Sequence, residues 1–329
     1  MPISNVNTTQ STVQIENNAS LTQVNTKSTQ PSSLNDSAIK AEPEHKTGFY
    51  YAPFASEDVL RFAAGTNQAR STAGKEPRHI IVANDATKSK LETLKQQLVE
   101  KNQAEASDIR GKANAVISEL NLEGFELLDF VSSDAYKDML KLAQNYSFEA
   151  DVLQQADIIS NEKTGILGTL KNGENKIYVL GHGSNGSNEI SSKFSSSEEG
   201  YETVSSKGLA EQLSKGGLDK SFTDIRVESC YSADATEPES FDPEELKLSS
   251  EPGIIDAPEN PEIDGTRVFP FAQSFANELK SAGFENPEVA GYHGAGKAYS
   301  DDPHRYQTLH TDDAPVARSS DVRQIFIPV

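Results

Sequence analysis

A histidine held between two glycines, Gly181-His182-Gly183, ends an apolar run that starts at Lys176, and the one cysteine, Cys230, ends a second run that starts at Thr223. A thiol and an imidazole are the groups needed to open an amide. The thiolate attacks the carbonyl carbon, and the histidine protonates the leaving amine. The oxyanion that develops needs N–H donors, for which the backbone of Gly183 and of Cys230 are candidates. Glycine at 183 lets backbone and substrate approach closely, and glycine on both sides leaves the imidazole accessible. Each half alone also has a plain structural reading. A lone cysteine is commonly a small buried hydrophobe, and glycine-rich strand ends are frequent. Their joint position is what points to chemistry. His293, in Gly-Tyr-His-Gly, also ends an apolar run beside glycine and is the rival base. His79 opens a strand and reads as structural, His45 lies in the tail, and His304 and His310 lie in a polar late stretch.

The elements that would position the pair follow from periodicity. His79–Asn84, Lys176–Gly181, Thr223–Cys230, Pro287–Tyr292 and Val322–Val329 read as strands, and Gly124–Val131 as a further one. Helical spacing predicts helices from Thr87 (Leu91, Leu94, Leu98), from Ser133, over Ser205–Gly217 and over Val268–Gly283, the last two closed by glycine. Alternating strands and helices imply an α/β fold with a mainly parallel sheet. A right-handed crossover through the helix at Leu209–Ser214 makes the strands before and after it parallel, so His182 and Cys230 fall at one sheet edge, where open α/β sheets bind ligands.

The 329 residues carry a net charge of −20. That argues against nucleic acid or an anionic membrane as partner, since phosphate contacts need clustered Lys and Arg. No run of 18 apolar residues exists to span a bilayer. One cysteine excludes an intrachain disulfide and a multi-cysteine zinc site, and no metal cofactor is expected. Residues 1–37 hold 23 Ser, Thr, Asn or Gln, too polar to offset the entropy of ordering, and are expected to be disordered. Residues 1–46 form the expected leader and 47–329 the folded domain. Residues 234–266 hold 11 acids, one lysine and five prolines, and read as an acidic loop insertion beside the site.

A strand ending in His-Gly followed by a strand ending in Cys resembles the clan CD cysteine peptidases. Within the clan, the chain is most similar to the self-processing peptidase domain of RTX and large clostridial toxins. The residues that carry this are Arg78–Asn84, Tyr178–Ile190, the helix at Ser205–Ser214, the 48-residue spacing from His182 to Cys230, and the helix Phe271–Gly283. The resemblance implies a caspase-like three-layer sandwich with a late β-flap, a Cys230/His182 dyad, activation by inositol hexakisphosphate, and cleavage after leucine, often in the same chain. Leu34, in Pro-Ser-Ser-Leu-Asn-Asp-Ser, is the candidate self-cleavage point. The family's activator pocket is basic and lies by the flap. Carried over, it implies Lys176, Arg318 and Arg323, with Arg305 and Lys297 in looser register. Ser229 departs from the family's usual glycine, and the acidic insertion replaces a short connection. The polar leader resembles those of type III secreted effectors. It implies delivery into a host cytosol, a protein substrate in the host or in the chain itself, and a secretion chaperone as a further partner. Two rivals stand beside this reading: an inositol-phosphate-dependent acyltransferase using the same thioester chemistry, and a non-catalytic host-binding module on a peptidase fold.

Overall fold

The structure is a computed structural model and describes residues 46–255, 266–297, 304–309 and 315–329. Residues 1–45 of the leader, with Leu34 and His45, lie outside the described residues, as does His310.

The central sheet grows from β1 (Thr47–Ala52), whose Tyr50, Tyr51 and Ala52 are fully buried. Ser56 then accepts a hydrogen bond from the Val59 N–H and starts α1 (Glu57–Thr72). The cap puts Glu57 and Asp58 in the first turn, where the helix dipole favours acids. β2 (Ile80–Val82) is apolar at every position, as a strand covered on both faces must be. Asn84 caps α2 (Asp85–Glu119), which runs 35 residues, about 52 Å at 1.5 Å per residue. α3 (Gly124–Ser132) and the Ser133-capped α4 (Asp134–Gln155) bring the chain back to β3 (Ile158–Ser160), and the short α5 (Asn161–Thr164) follows. The small residues Ala106, Ala113, Ala143 and Ala150 are buried where α2 and α4 pack together.

The chain then crosses to the other side of β1 and adds β4 (Asn175–Leu180). A hairpin, β5 (Glu189–Ser191) with β6 (Thr203–Ser205), leads into α6 (Ser206–Lys215) and β7 (Asp224–Glu228). After α7 (Pro243–Ser250) and the antiparallel pair β8 (Gly253–Ile255) and β9 (Thr266–Val268) come α8 (Phe271–Ser281) and β10 (Glu288–Tyr292). A separate antiparallel sheet of β11 (Ala295–Gly296), β12 (Tyr306–Thr308) and β13 (Val316–Arg318) precedes the last strand, β14 (Arg323–Phe326).

The sheet order is β14-β10-β7-β4-β1-β2-β3, parallel throughout except for β14 against β10. Right-handed crossovers put α1, α2 and α4 on one face and α6 and α8 on the other. The direction of winding reverses between β1 and β4, and that reversal opens a crevice at the carboxyl ends of these two strands.

Two expectations are corrected. Gly124–Val131 is a helix, not a strand. A short apolar run carries no decisive period, and as a helix it satisfies its backbone without a partner strand. It buries no residue, and Phe125 is 90% exposed. The acidic stretch 234–266 is not simply a loop: it contains α7 and β8, and its last residue, Thr266, is the first of β9. Pro243 stands at the first turn of α7, where a missing N–H costs nothing, so it starts the helix.

Candidate active site

Strand register places the two reactive residues. Leu180 on β4 pairs with Glu228 on β7. His182 and Cys230 each lie two residues beyond that pair, at the same edge of neighbouring parallel strands. The His182 backbone is clamped by β5: its N–H donates to the Ser191 carbonyl (2.8 Å) and its carbonyl accepts from the Ser191 N–H (3.0 Å).

The imidazole points into the crevice between β1 and β4. There Nε2 meets the Asp58 carboxylate, 2.8 Å from Oδ2, at the start of α1. An ionised carboxylate only accepts, so Nε2 carries a proton and Nδ1 is the nitrogen left for proton exchange. The edge of Phe62 packs against the ring with centroids 4.9 Å apart, and the exposed Phe194 lies 6.1 Å away on another side. Sequence reasoning missed Asp58. Its only signal there was that of a first-turn acid behind a helix cap, which thousands of helices share.

The glycines flanking His182 have different reasons. A Cβ on Gly183 would lie 2.8 Å from the Cys230 carbonyl oxygen and 2.9 Å from Ser229 Oγ, so the backbone of 183 presses directly on the cysteine turn. Gly181 does not expose the imidazole as expected. A Cβ there would sit 3.1 Å from Ile190 Cδ1, and its absence lets β5 close against β4.

Cys230 is half-buried. Burial pushes its thiol up, and the N–H groups of Gly296 and of Cys230 itself act in the opposite sense. The following residue, Tyr231, has φ 54°, a left-handed conformation that a bulky residue adopts only when its surroundings impose it. Those surroundings are explicit. The Tyr231 N–H donates to the Gly294 carbonyl (2.7 Å), the Ala233 N–H to the Tyr292 carbonyl, and Ser232 Oγ bridges the Val227 carbonyl and the Tyr292 N–H.

His293, the rival base, is buried behind this turn. Its Nδ1 lies 2.5 Å from Oδ1 of the fully buried Asp234, and its Nε2 3.2 Å from Gln324 Oε1. Asp234 also accepts from Ser249 Oγ (2.8 Å) and the Gly294 N–H (2.9 Å). The first acid of the acidic stretch is thus an internal tie for the cysteine turn, and His293 belongs to that tie. His79 is structural as expected, its Nδ1 accepting from the Asp157 N–H.

The small sheet β11–β12–β13 stands over Cys230. Beneath it a cavity of about 10 Å³, room for a single water, is lined by Phe62, Glu228, Cys230, Gly296, Arg305 and Gln307, with Lys297 at its edge. The Arg305 guanidinium lies against the Glu228 carboxylate. Burial pulls Arg305 down to about 10, with Tyr50 opposing and Arg78 adding to the fall.

The five cations expected to bind an activator divide. Lys176 and Arg323 share one sheet face with three that sequence reasoning missed: Lys46, Arg78 and Arg226. Arg226 pairs across strands with Tyr178, and Arg78 lies 3.8 Å above the same tyrosine ring. A cavity of about 110 Å³ opens here, lined by Lys46, Arg226, Glu288 and Arg323. Asp224 neutralises part of the patch through Lys46 (3.1 Å) and Arg226 (2.9 Å). Lys176 is pulled down to about 8, chiefly by burial and then by Arg226, with Asp224 opposing. Lys297 and Arg305 lie instead beside Cys230, and Arg318 is exposed on β13. Arg226 was legible in principle. A charge at an alternate position of an otherwise buried strand must face something that tolerates it.

The raised thiol sets an expectation for reactivity, because only the thiolate is alkylated. Its fraction at neutral pH is below that of a free cysteine. Iodoacetamide followed by mass should therefore label Cys230 more slowly than free cysteine at pH 7.5, with a midpoint displaced to higher pH. A midpoint at or below that of free cysteine would mean that burial does not govern the thiol.

No family model, curated protein or solved structure matches this chain.

Proposed function

We propose that the chain is a cysteine endopeptidase of caspase-like fold, with Cys230 as nucleophile, His182 as acid and base, and Asp58 as the residue that positions His182. One observation carries this reading. His182, held on a carboxylate, and Cys230 stand at equal distance beyond the last paired residues of adjacent parallel strands.

The chemistry follows from those positions. His182 Nδ1 takes the thiol proton, and the thiolate adds to the scissile carbonyl. The oxyanion is met by backbone N–H groups, with Gly183 and Cys230 as candidates. Collapse breaks the C–N bond, and the imidazolium returns its proton to the departing amine. Water, deprotonated by the same nitrogen, cleaves the thioester to acid and free thiol. Asp58 keeps the proton on Nε2 and stabilises the imidazolium between these steps.

The narrow space left beside Cys230, about 10 Å³, supports control by an activator that would widen it. The candidate is inositol hexakisphosphate, bound on the face of Lys176, Arg226, Arg323, Lys46 and Arg78. Several converging cations are what a polyphosphate needs, since one exposed pair contributes little. Arg78 stands on the Tyr178 ring, and its charge acts on Arg305. As a secreted effector the enzyme would act on host protein or on its own leader. Among the described residues no helix is long and apolar enough to cross a membrane.

Intact mass of the full chain, with and without inositol hexakisphosphate, tests the proposal, with Cys230→Ala in parallel. Fragments should appear only with the polyphosphate and only with Cys230 present, and Arg226→Glu should raise the polyphosphate concentration required about tenfold or more. Cleavage retained in Cys230→Ala removes the nucleophile assignment. An acyl mass added to a protein substrate, with no cut, moves the site to the acyltransferase reading.

A further inference from the structure

The most apolar helix of the chain is the one that buries nothing. Five of the nine residues of α3 are Phe, Leu or Val, and none of them is buried. Leu127, Phe130 and Val131 are half-buried, and Phe130 packs on Tyr136 of α4 with ring centroids 5.2 Å apart. The others face water. Phe125 is 90% exposed, Leu128 59%, and Leu120 just before the helix 62%. Phe125 and Leu128 are three positions apart, so they share one side of α3. A helix this short is not stable alone in water, and no side chain caps its start.

The fold carries this helix away from the core. The core takes in Leu91, Leu98 and Val99 of α2, and Ala150, Val152 and Leu153 of α4. Between those points α2 and α4 bury only Asn102, Ala106, Ala113, Ala143 and Glu149. The two helices therefore form an arm, and α3 lies across its far end. α2 starts at the carboxyl end of β2 and runs away from the edge that holds His182 and Cys230.

Charge says what covers the exposed side. Residues 113–136 hold Glu119, Glu123, Glu126, Asp129 and Asp134, and no Lys, Arg or His. All five acids are exposed. An anionic bilayer is repelled by such a rim. A second copy would bring the same five acids against it, on a chain of net charge −20. Residues 1–45 hold four acids and two lysines, so they do not complement it either. An amphipathic helix with an apolar stripe and Lys or Arg along its margins does: the stripe covers Phe125 and Leu128, and the margins meet the acids.

We infer that the tip of the α2–α4 arm is a docking surface for a basic amphipathic helix of a partner protein, with Phe125 and Leu128 as its anchors and Glu123, Glu126 and Asp129 as its rim. The surface is separate from the chemistry at Cys230 and would hold a partner or substrate at a distance from it.

The test uses the full chain and a labelled helical peptide of leucine and lysine, with leucines along one side, followed by fluorescence anisotropy. Phe125→Ser/Leu128→Ser keeps the charge of the chain and should weaken binding by about 30-fold or more. Glu123→Gln/Glu126→Gln/Asp129→Asn should weaken it by about tenfold at low salt and flatten its salt dependence. Neither set touches a buried residue, so the melting midpoint should stay at the wild-type value. Amide exchange in Gly124–Ser132 should be fast in the free chain and slow with the peptide bound. Binding indifferent to Phe125→Ser/Leu128→Ser, or equal binding of the peptide with glutamate in place of lysine, overturns the assignment. So does slow exchange of α3 in the free chain, which would mean that the chain covers it already. A dimer in sedimentation that the double substitution abolishes gives the surface to a second copy, and flotation with phosphatidylserine vesicles gives it to a membrane; either overturns the basic helix as its occupant.

Discussion

His182→Ala should leave a folded protein whose kcat/KM for peptide hydrolysis is lower by about 10³-fold, and Asp58→Asn should lower it by about 10²–10³-fold. The two changes should not add. Asp58 acts only through the imidazole, so His182→Ala/Asp58→Asn should be no slower than His182→Ala alone. The isosteric amide keeps the hydrogen-bond position but favours the wrong tautomer, which places the proton on Nδ1, where the reaction needs a base. Asp58→Asn should therefore change kcat more than KM. Equal activity of Asp58→Asn and wild type would remove Asp58 from the site. Additive losses would show that it acts elsewhere, for example by capping α1.

Asp234→Ala should cost about 3–5 kcal/mol of stability, because it strips three hydrogen-bonded partners of one buried carboxylate at once. The Gly294 N–H, Ser249 Oγ and His293 Nδ1 all meet it. In a domain of this size the melting midpoint should fall by about 10 °C. Glu251→Gln, an exposed acid of the same stretch, should change stability by less than about 0.5 kcal/mol. Thermal unfolding of the two variants separates an internal tie from a solvated acidic surface. Similar midpoints for both would mean that the tie contributes nothing. If the proposed peptidase role of Cys230 holds, Asp234→Ala should also slow catalysis beyond its effect on folding, since Gly294 holds Tyr231 in its left-handed turn beside Cys230.

Much of this arrangement could be read from the residues. The strand before His182, the strand before Cys230 and the helix between them are local patterns, and right-handed crossover fixed their relation without any tertiary information. What escaped was of another kind. Asp58 reaches His182 across 124 residues, through a winding reversal whose position depends on which strands neighbour β1. α1 itself is weakly amphipathic, with Gly65, Thr66 and Asn67 among its buried residues, and carries little period to detect. Gly124–Val131 misled because an apolar run without a fixed period suits a strand and a helix equally. Pro243 misled because proline was weighed as a breaker where it was an initiator. The basic face was half legible. Lys176 and Arg323 came from resemblance, whereas Arg226 needed the strand's alternation to be followed through to its charged position.

The edge of the sheet that carries His182 and Cys230 is anchored on two sides. Ser191 clamps the His182 backbone from the hairpin that precedes α6, and Gly294 and Tyr292 hold the turn after Cys230 from the end of β10. Each residue is therefore moored to its own piece of chain, and loosening one mooring need not move the other. Amide exchange at Ser191 and at Tyr231 would report on the two separately, and a variant that frees only the second should leave the first as slow as in the wild type.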